Sequence, residues 1–202
     1  MKPIRSMIAN TSVYLALFAA VLLTACSGLY AADTGPLSRK GTSQCGINLG
    51  YGYSFESNKD IRFASVYPYF GTVLTDPVGS GWYRGTFEGI IEGAFTFVHK
   101  HQKTYAAGVN ILGRYNFIAG IDCWRPYVQA GLGAVCTNLG MHDFGSNFNF
   151  TTNVSFGLQY FINPDDAVSF EWRFIHMSNA GLDGDNAGLN MNNFFIGYAH
   201  TF

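Results

Sequence analysis

The stretch FEWRFIHMSNAGLDGDNAGLN, residues 170–190, places His176 and Ser178 two positions apart at the end of an alternating segment. In an extended chain, residues i and i+2 share one face about 7 Å apart, near enough for a serine hydroxyl to reach an imidazole nitrogen. That pair suits acyl transfer, with histidine taking the proton as the serine oxygen attacks an ester carbonyl. His-x-Ser alone is also what a strand end at a lipid headgroup region would carry. The surface toward which the strand turns the pair therefore decides its meaning.

Alternation recurs along the whole chain. In CGINLGYGYSF, Ile47, Leu49, Tyr51, Tyr53 and Phe55 share one parity, and Gly46, Asn48, Gly50, Gly52 and Ser54 the other. Phe87, Ile91, Phe95 and Phe97 oppose Glu88 and Glu92; Tyr105, Val109, Ile111, Tyr115 and Phe117 oppose Asn110 and Arg114. Val154, Phe156, Leu158, Tyr160 and Ile162 oppose Asn153, Ser155 and Gln159. One face is broad, apolar and edged by aromatics, while the other is small and polar. A water-soluble barrel turns its apolar side chains inward; this pattern has the polarity of a transmembrane β-barrel, lipid-facing outside and polar inside.

Eight alternating segments, at roughly 45–55, 62–74, 83–98, 103–117, 124–138, 149–162, 166–178 and 190–202, predict an all-β, eight-stranded antiparallel transmembrane β-barrel. An interior of that size is filled by side chains and leaves no pore. Glu88, Glu92, Arg114, Glu171 and Arg173 are expected to form an ion network inside it. The final FFIGYAHTF alternates and ends in Phe202, resembling the insertion signal of bacterial outer-membrane barrels.

Composition agrees. Of 202 residues, 12% are charged, 16% are aromatic and 24 are glycine, and the formal net charge is −1. No basic surface points to nucleic acid as a partner. At the N-terminus, Lys2 and Arg5 precede the apolar run SVYLALFAAVLLTA, which is shorter than the ~20 residues of a membrane helix and reads as a signal-peptide core. The expected organisation is a signal peptide over 1–26, a turn-rich linker over 27–44 and a barrel over 45–202. Leu23-Thr24-Ala25-Cys26 has the form of a bacterial lipobox, and ordinary cleavage near Ser27 or Ala31 is the alternative. Of the remaining cysteines, Cys123 and Cys136 are separated by an extended stretch too long for a mutual disulfide.

Parity along the seventh segment groups Val168, Phe170, Trp172, Phe174, His176 and Ser178, against Ser169, Glu171 and Arg173. His176 and Ser178 therefore belong to the lipid-facing surface at the strand's end. HMSNAGLDGDNAGLN, preceded by Glu171 and Arg173 in EWRFIHMS, closely resembles the seventh strand and following loop of the PagL family of outer-membrane lipid A 3-O-deacylases. The resemblance is strong over residues 171–190 and architectural elsewhere.

The resemblance implies an eight-stranded barrel with a serine esterase site facing the outer leaflet, where it removes the ester-linked 3-hydroxyacyl chain at position 3 of lipid A. Ser178 would be the nucleophile and His176 its general base. Asn179, the backbone of Ala180 and Gly181, and Asn186 would supply oxyanion donors and positioning. No metal or organic cofactor enters the scheme, and the partners it implies are lipopolysaccharide and the outer membrane. Where the family has a glutamate to orient the histidine, 14 residues after it, this chain has Asn190. An amide can fix the tautomer without stabilising imidazolium by charge. Asp183 or Asp185 could instead supply the carboxylate from the loop, although LDGDN is also an ordinary solvated turn.

Two other readings stand beside the deacylase: a non-catalytic barrel with structural or binding roles, and a lipase acting on a different lipid ester. His99 and His101 in FVHKHQK share a parity that could hold a metal, but a polar hairpin accounts for them. His142, in a glycine-rich loop, and His200, near the chain end, are not expected to be ligands.

Overall fold

In a computed structural model of the chain, the structure describes residues 35, 37–55, 61–100, 103–118, 123–137, 147–182 and 188–202. Eight strands run in order: β1 (Ser43–Phe55), β2 (Arg62–Val73), β3 (Gly85–Lys100), β4 (Thr104–Phe117), β5 (Trp124–Thr137), β6 (Phe148–Phe161), β7 (Asp166–Ser178) and β8 (Leu189–Thr201). Each pairs antiparallel with its sequence neighbours, and β8 pairs with β1 to close the barrel. Closure removes the free edges, so every strand backbone has a partner without water, as hydrocarbon requires. The predicted segments coincide with these strands to within two residues at each end.

The alternation read from the sequence is the alternation of the wall. Leu49, Ile91, Phe95, Ile111, Phe156, Phe170 and Ile196 all face outward and are exposed, whereas Asn48, Glu88, Glu92, Asn110, Arg114, Ser155 and Gln159 are buried in the lumen. Hydrocarbon accepts the first set without any desolvation cost, and the lumen supplies the second with partners.

The predicted ion network is present, with one addition. Arg173 donates to both oxygens of Glu92, at 2.5 and 3.0 Å, and through Nε to Glu171 at 2.6 Å. Nearer the chain termini, Arg114 lies 3.7 Å from Glu88, which also accepts from Gln44 at 2.6 Å and Asn116 at 2.9 Å. Arg125, buried as deeply, lies within 3.5 Å of the Ser38 hydroxyl. Among the described lumen residues, three guanidiniums thus face three carboxylates and the interior charge cancels.

The sequence pattern missed the inward aromatics. Phe63, Tyr67, Tyr69, Tyr127 and Phe195 are buried in the lumen. They fit because glycines face them: the Tyr127 ring occupies the place where a Cβ on Gly157 would stand, and Tyr69 does the same at Gly46. Tyr127 then reaches Glu171 with its hydroxyl at 2.7 Å.

The two ends of the lumen close differently. Beneath the strand ends nearest the termini, Leu37 packs with Val73, Phe161 and Ala167, and its carbonyl accepts from Thr86 at 2.9 Å. The segment read as linker therefore plugs that end from Leu37 onward. Toward the opposite end, Ile61, Phe63, Val98, Val135, Met177 and Leu189 make an apolar plug. That plug backs the wall on which His176 and Ser178 stand.

Candidate active site

β7 turns inward at Arg173, Ile175 and Met177, all buried, and outward at Phe174, His176 and Ser178, all half-buried. His176 and Ser178 therefore sit on the external wall, at the end of the barrel opposite the termini. A salt bridge and an apolar plug hold the inward residues, so the strand cannot slip by one residue without burying the histidine and expelling Arg173.

Register brings the third residue to the site. Asn190 on β8 lies directly opposite His176, and its Oδ1 is 2.7 Å from His176 Nδ1. A side-chain amide oxygen only accepts, so this contact places the proton on Nδ1 and leaves Nε2 with its lone pair, the form a general base needs. On the other side, Thr152 faces His176 and Phe150 faces Ser178 across β6. Among the described residues no hydrogen bond joins Ser178 to His176. Their shared face leaves that contact to a side-chain rotation.

Gly188 was not anticipated. It has φ +68°, and a Cβ there would stand 2.9 Å from His176 Cε1, so the glycine's bare backbone lies against the imidazole edge. The signal available in the sequence was a glycine, Gly188, immediately before the last strand, where the backbone takes a left-handed angle beside the histidine.

Asn179 and its neighbours form a tight turn directly after the strand. Asn179 is fully buried, and its Oδ1 accepts from the Gly181 amide at 2.8 Å. The Leu182 amide donates to the Asn179 carbonyl at 3.1 Å. Ala180 and Gly181 both take left-handed angles, φ 54° and 77°. Asn179 thus shapes the backbone beside Ser178, and the Gly181 amide is already engaged. Asp183, Asp185 and Asn186 lie outside the described residues, as do Cys26, His101 and His142.

Below the site, the outward residues form aromatic rows. Phe55 lies opposite Asn190 and Phe174 opposite Asn192, with ring centroids 5.9 Å apart. Trp172 Nε1 donates to Asn192 Oδ1 at 3.1 Å, so this amide oxygen deeper in the wall is satisfied by its neighbour. Still lower, Leu49, Tyr51, Phe170, Trp172, Phe194 and Ile196 line an open apolar groove centred on β8. The groove is in line with His176 and Asn190, two strand rows away.

His99 does not lie in the hairpin expected of it. His99 extends β3 and meets the Tyr51 hydroxyl at 3.3 Å on the outer wall. Among the described residues, no cluster of His, Cys, Asp and Glu has the makings of a metal site. Cys45 and Cys136 are free and exposed.

Fold and site together define an outer-membrane barrel with a serine–histidine–amide arrangement on its external wall. Residues 69–199 match the family model described as lipid A 3-O-deacylase (PagL). The chain belongs to that family and is an outer-membrane protein. Lipid A deacylase PagL of Pseudomonas aeruginosa is 32% identical over 77 residues, which is 37% of this chain and 42% of that protein. Thus the aligned segment spans less than half the length of that relative. Among solved structures, the outer-membrane enzyme PagL aligns with a TM-score of 0.56 at 22% identity, covering 76% of this chain and 97% of that one. Neisserial surface protein A aligns as well in shape, with a TM-score of 0.57 at 14% identity, covering 81% of this chain and 100% of that one. Both likenesses concern the fold.

Proposed function

We propose that the protein is a serine esterase of the outer leaflet that removes the 3-hydroxyacyl chain at position 3 of lipid A. The observation that carries this reading is the His176–Asn190 contact of 2.7 Å on the external wall, which prepares an imidazole base two strand positions from a serine that faces lipid. Membership of the deacylase family supports the substrate class.

In this scheme Ser178 Oγ passes its proton to His176 Nε2 and attacks the ester carbonyl. The imidazolium then protonates the departing sugar oxygen, and water resolves the acyl-enzyme by the same base. Asn190 holds the ring and its tautomer throughout. Asn179 shapes the turn beside Ser178, with the Ala180 amide and Asn186 as oxyanion donors; the Gly181 amide would join them only by leaving Asn179. The apolar groove below takes the hydrocarbon chain being released, which keeps the tail in a lipid-like environment while its ester lies at the headgroup. Asp183 and Asp185 are the alternative source of a carboxylate for the histidine. Residues 1–26 serve as the export signal.

Mass spectrometry of lipid A after incubation with the wild-type barrel and with Ser178→Ala in detergent tests the proposal. Loss of one 3-hydroxyacyl mass with wild type alone is expected. Lipid A left intact by both, with phospholipid cleaved only by wild type, would make the protein a lipase of different specificity. Both lipids left intact by a folded wild-type barrel would sink the enzyme reading.

A further inference from the structure

A second constellation occupies the opposite rim of the same wall. Cys45 on β1 lies directly across from His200 on β8, and His200 lies directly across from Asp166 on β7. All three face outward, so a thiol, an imidazole and a carboxylate stand in one row across three neighbouring strands. His200 Nδ1 is 2.9 Å from Asp166 Oδ1. Asp166 is itself fixed: it accepts from the Tyr198 hydroxyl at 2.5 Å and from Asn163 Nδ2 at 2.8 Å. Asn163 Oδ1 in turn accepts the backbone amides of Asp165 and Asp166, which locks the turn.

This row carries a true carboxylate on the histidine, where among the described residues His176 has the amide of Asn190. The Asp166 contact engages Nδ1 from the β7 side, and Cys45 stands on the other side of His200, on β1. Directly opposed residues on one face have Cβ atoms about 4.5–5.5 Å apart, so a rotation about the Cys45 side chain is enough for the thiol to reach the ring. Cys45 is free and exposed, and the His200 side chain is half exposed at 49%. The row stands at the strand ends, where the wall passes from hydrocarbon to water, so a reagent arriving from water can reach it.

We propose that Cys45 is a second nucleophilic centre of the protein, a thiol that His200 deprotonates under the orientation of Asp166, and that it takes disulfide electrophiles from the aqueous side of this rim. The thiol proton moves to His200 Nε2, and the sulfur attacks one sulfur of the incoming disulfide. That S–S bond breaks, a mixed disulfide forms on Cys45, and the other sulfur leaves as a thiolate. One thiol-level sulfur and one disulfide are present before and after, so no further oxidant is required. Thiolate, not thiol, is the nucleophile, which is why the neighbouring base matters.

The chain supplies its own reference. Cys136 is also free and exposed on the outer wall, but its register partners are Ala107 and Phe148, neither of which can take a proton. The test treats the detergent-solubilised barrel with a neutral dipyridyl disulfide and follows labelling at each cysteine by peptide mass, with Cys136→Ser and Cys45→Ser separating the signals. Cys45 is expected to react at least about tenfold faster than Cys136. His200→Ala should bring Cys45 down to the Cys136 rate and leave Cys136 unchanged, and added imidazole should restore part of the loss. Asp166→Asn should lie between. Equal rates at the two cysteines in wild type, or a Cys45 rate indifferent to His200→Ala in a barrel that keeps its native circular dichroism, would overturn the proposal.

Discussion

His176 Nδ1 and Asn190 Oδ1 lie 2.7 Å apart on directly opposed residues of β7 and β8. The amide does half of what a carboxylate does at this position: it fixes the ring and its tautomer but places no negative charge beside the imidazolium formed in the reaction. In a serine protease, exchanging the acid for an amide costs about 10⁴-fold in turnover, attributed there to the wrong tautomer. Here the amide oxygen faces the ring and the tautomer is the productive one. Asn190→Glu should therefore raise kcat at least about tenfold, and Asn190→Ala should lower it by about a hundredfold, the usual scale for a disturbed general base. Steady-state ester hydrolysis by the purified variants measures both, and a faster Asn190→Ala enzyme would show that the contact is not used.

Gly188 offers a separate handle on the same ring. Alanine there must adopt φ +68° and place its Cβ 2.9 Å from His176 Cε1. The backbone strain is about 1 kcal/mol, small enough for the barrel to fold. The ring must shift, so Gly188→Ala should reduce kcat about tenfold with little change in KM, since the lipid contacts lie elsewhere. Parallel losses in both parameters would place the glycine in substrate binding instead.

Asn179 ties the turn beside the nucleophile through its 2.8 Å contact with the Gly181 amide. Asn179→Ala releases that turn and should lower kcat by about tenfold to a hundredfold while leaving thermal unfolding of the barrel almost unchanged. Activity and unfolding temperature measured on one preparation separate this from a folding defect.

The lumen should be the part most sensitive to charge removal. Arg173 is fully buried between Glu92 and Glu171, and Arg173→Met leaves both carboxylates without their guanidinium. A loss of about 3–5 kcal/mol is expected in urea unfolding, because one partner of a buried pair is removed while the other stays. A neutral result would mean that water enters the lumen and solvates the pair.

On the outer wall the same reasoning changes sign. Ile111 is 69% exposed midway along β4, where the neighbouring phase is hydrocarbon. Ile111→Arg should cost about 2–4 kcal/mol in lipid-bilayer unfolding, whereas on a water-facing surface it would cost almost nothing. Unfolding in lipid vesicles distinguishes the two directly.

Much of this protein is legible one residue at a time. A period of two tells which side chains share a face, and the polarity of each face tells which phase it meets; this was enough for eight strands, a lipid-facing wall, the lumen charges and the outward placement of His176 and Ser178. It worked because hydrocarbon and a sealed lumen impose opposite solvation costs on alternate residues, so each strand carries its own record of its surroundings. The inward tyrosines Tyr67, Tyr69 and Tyr127 broke the rule, since their place depends on glycines of neighbouring strands. The Asn190 contact was read through a resemblance. Its geometry belongs to register, as does the meeting of Arg173 with Glu92, 81 residues away, and the row of Cys45, His200 and Asp166. Register is set by barrel closure, when all eight strands must bury their polar faces at once, and no single strand contains that condition.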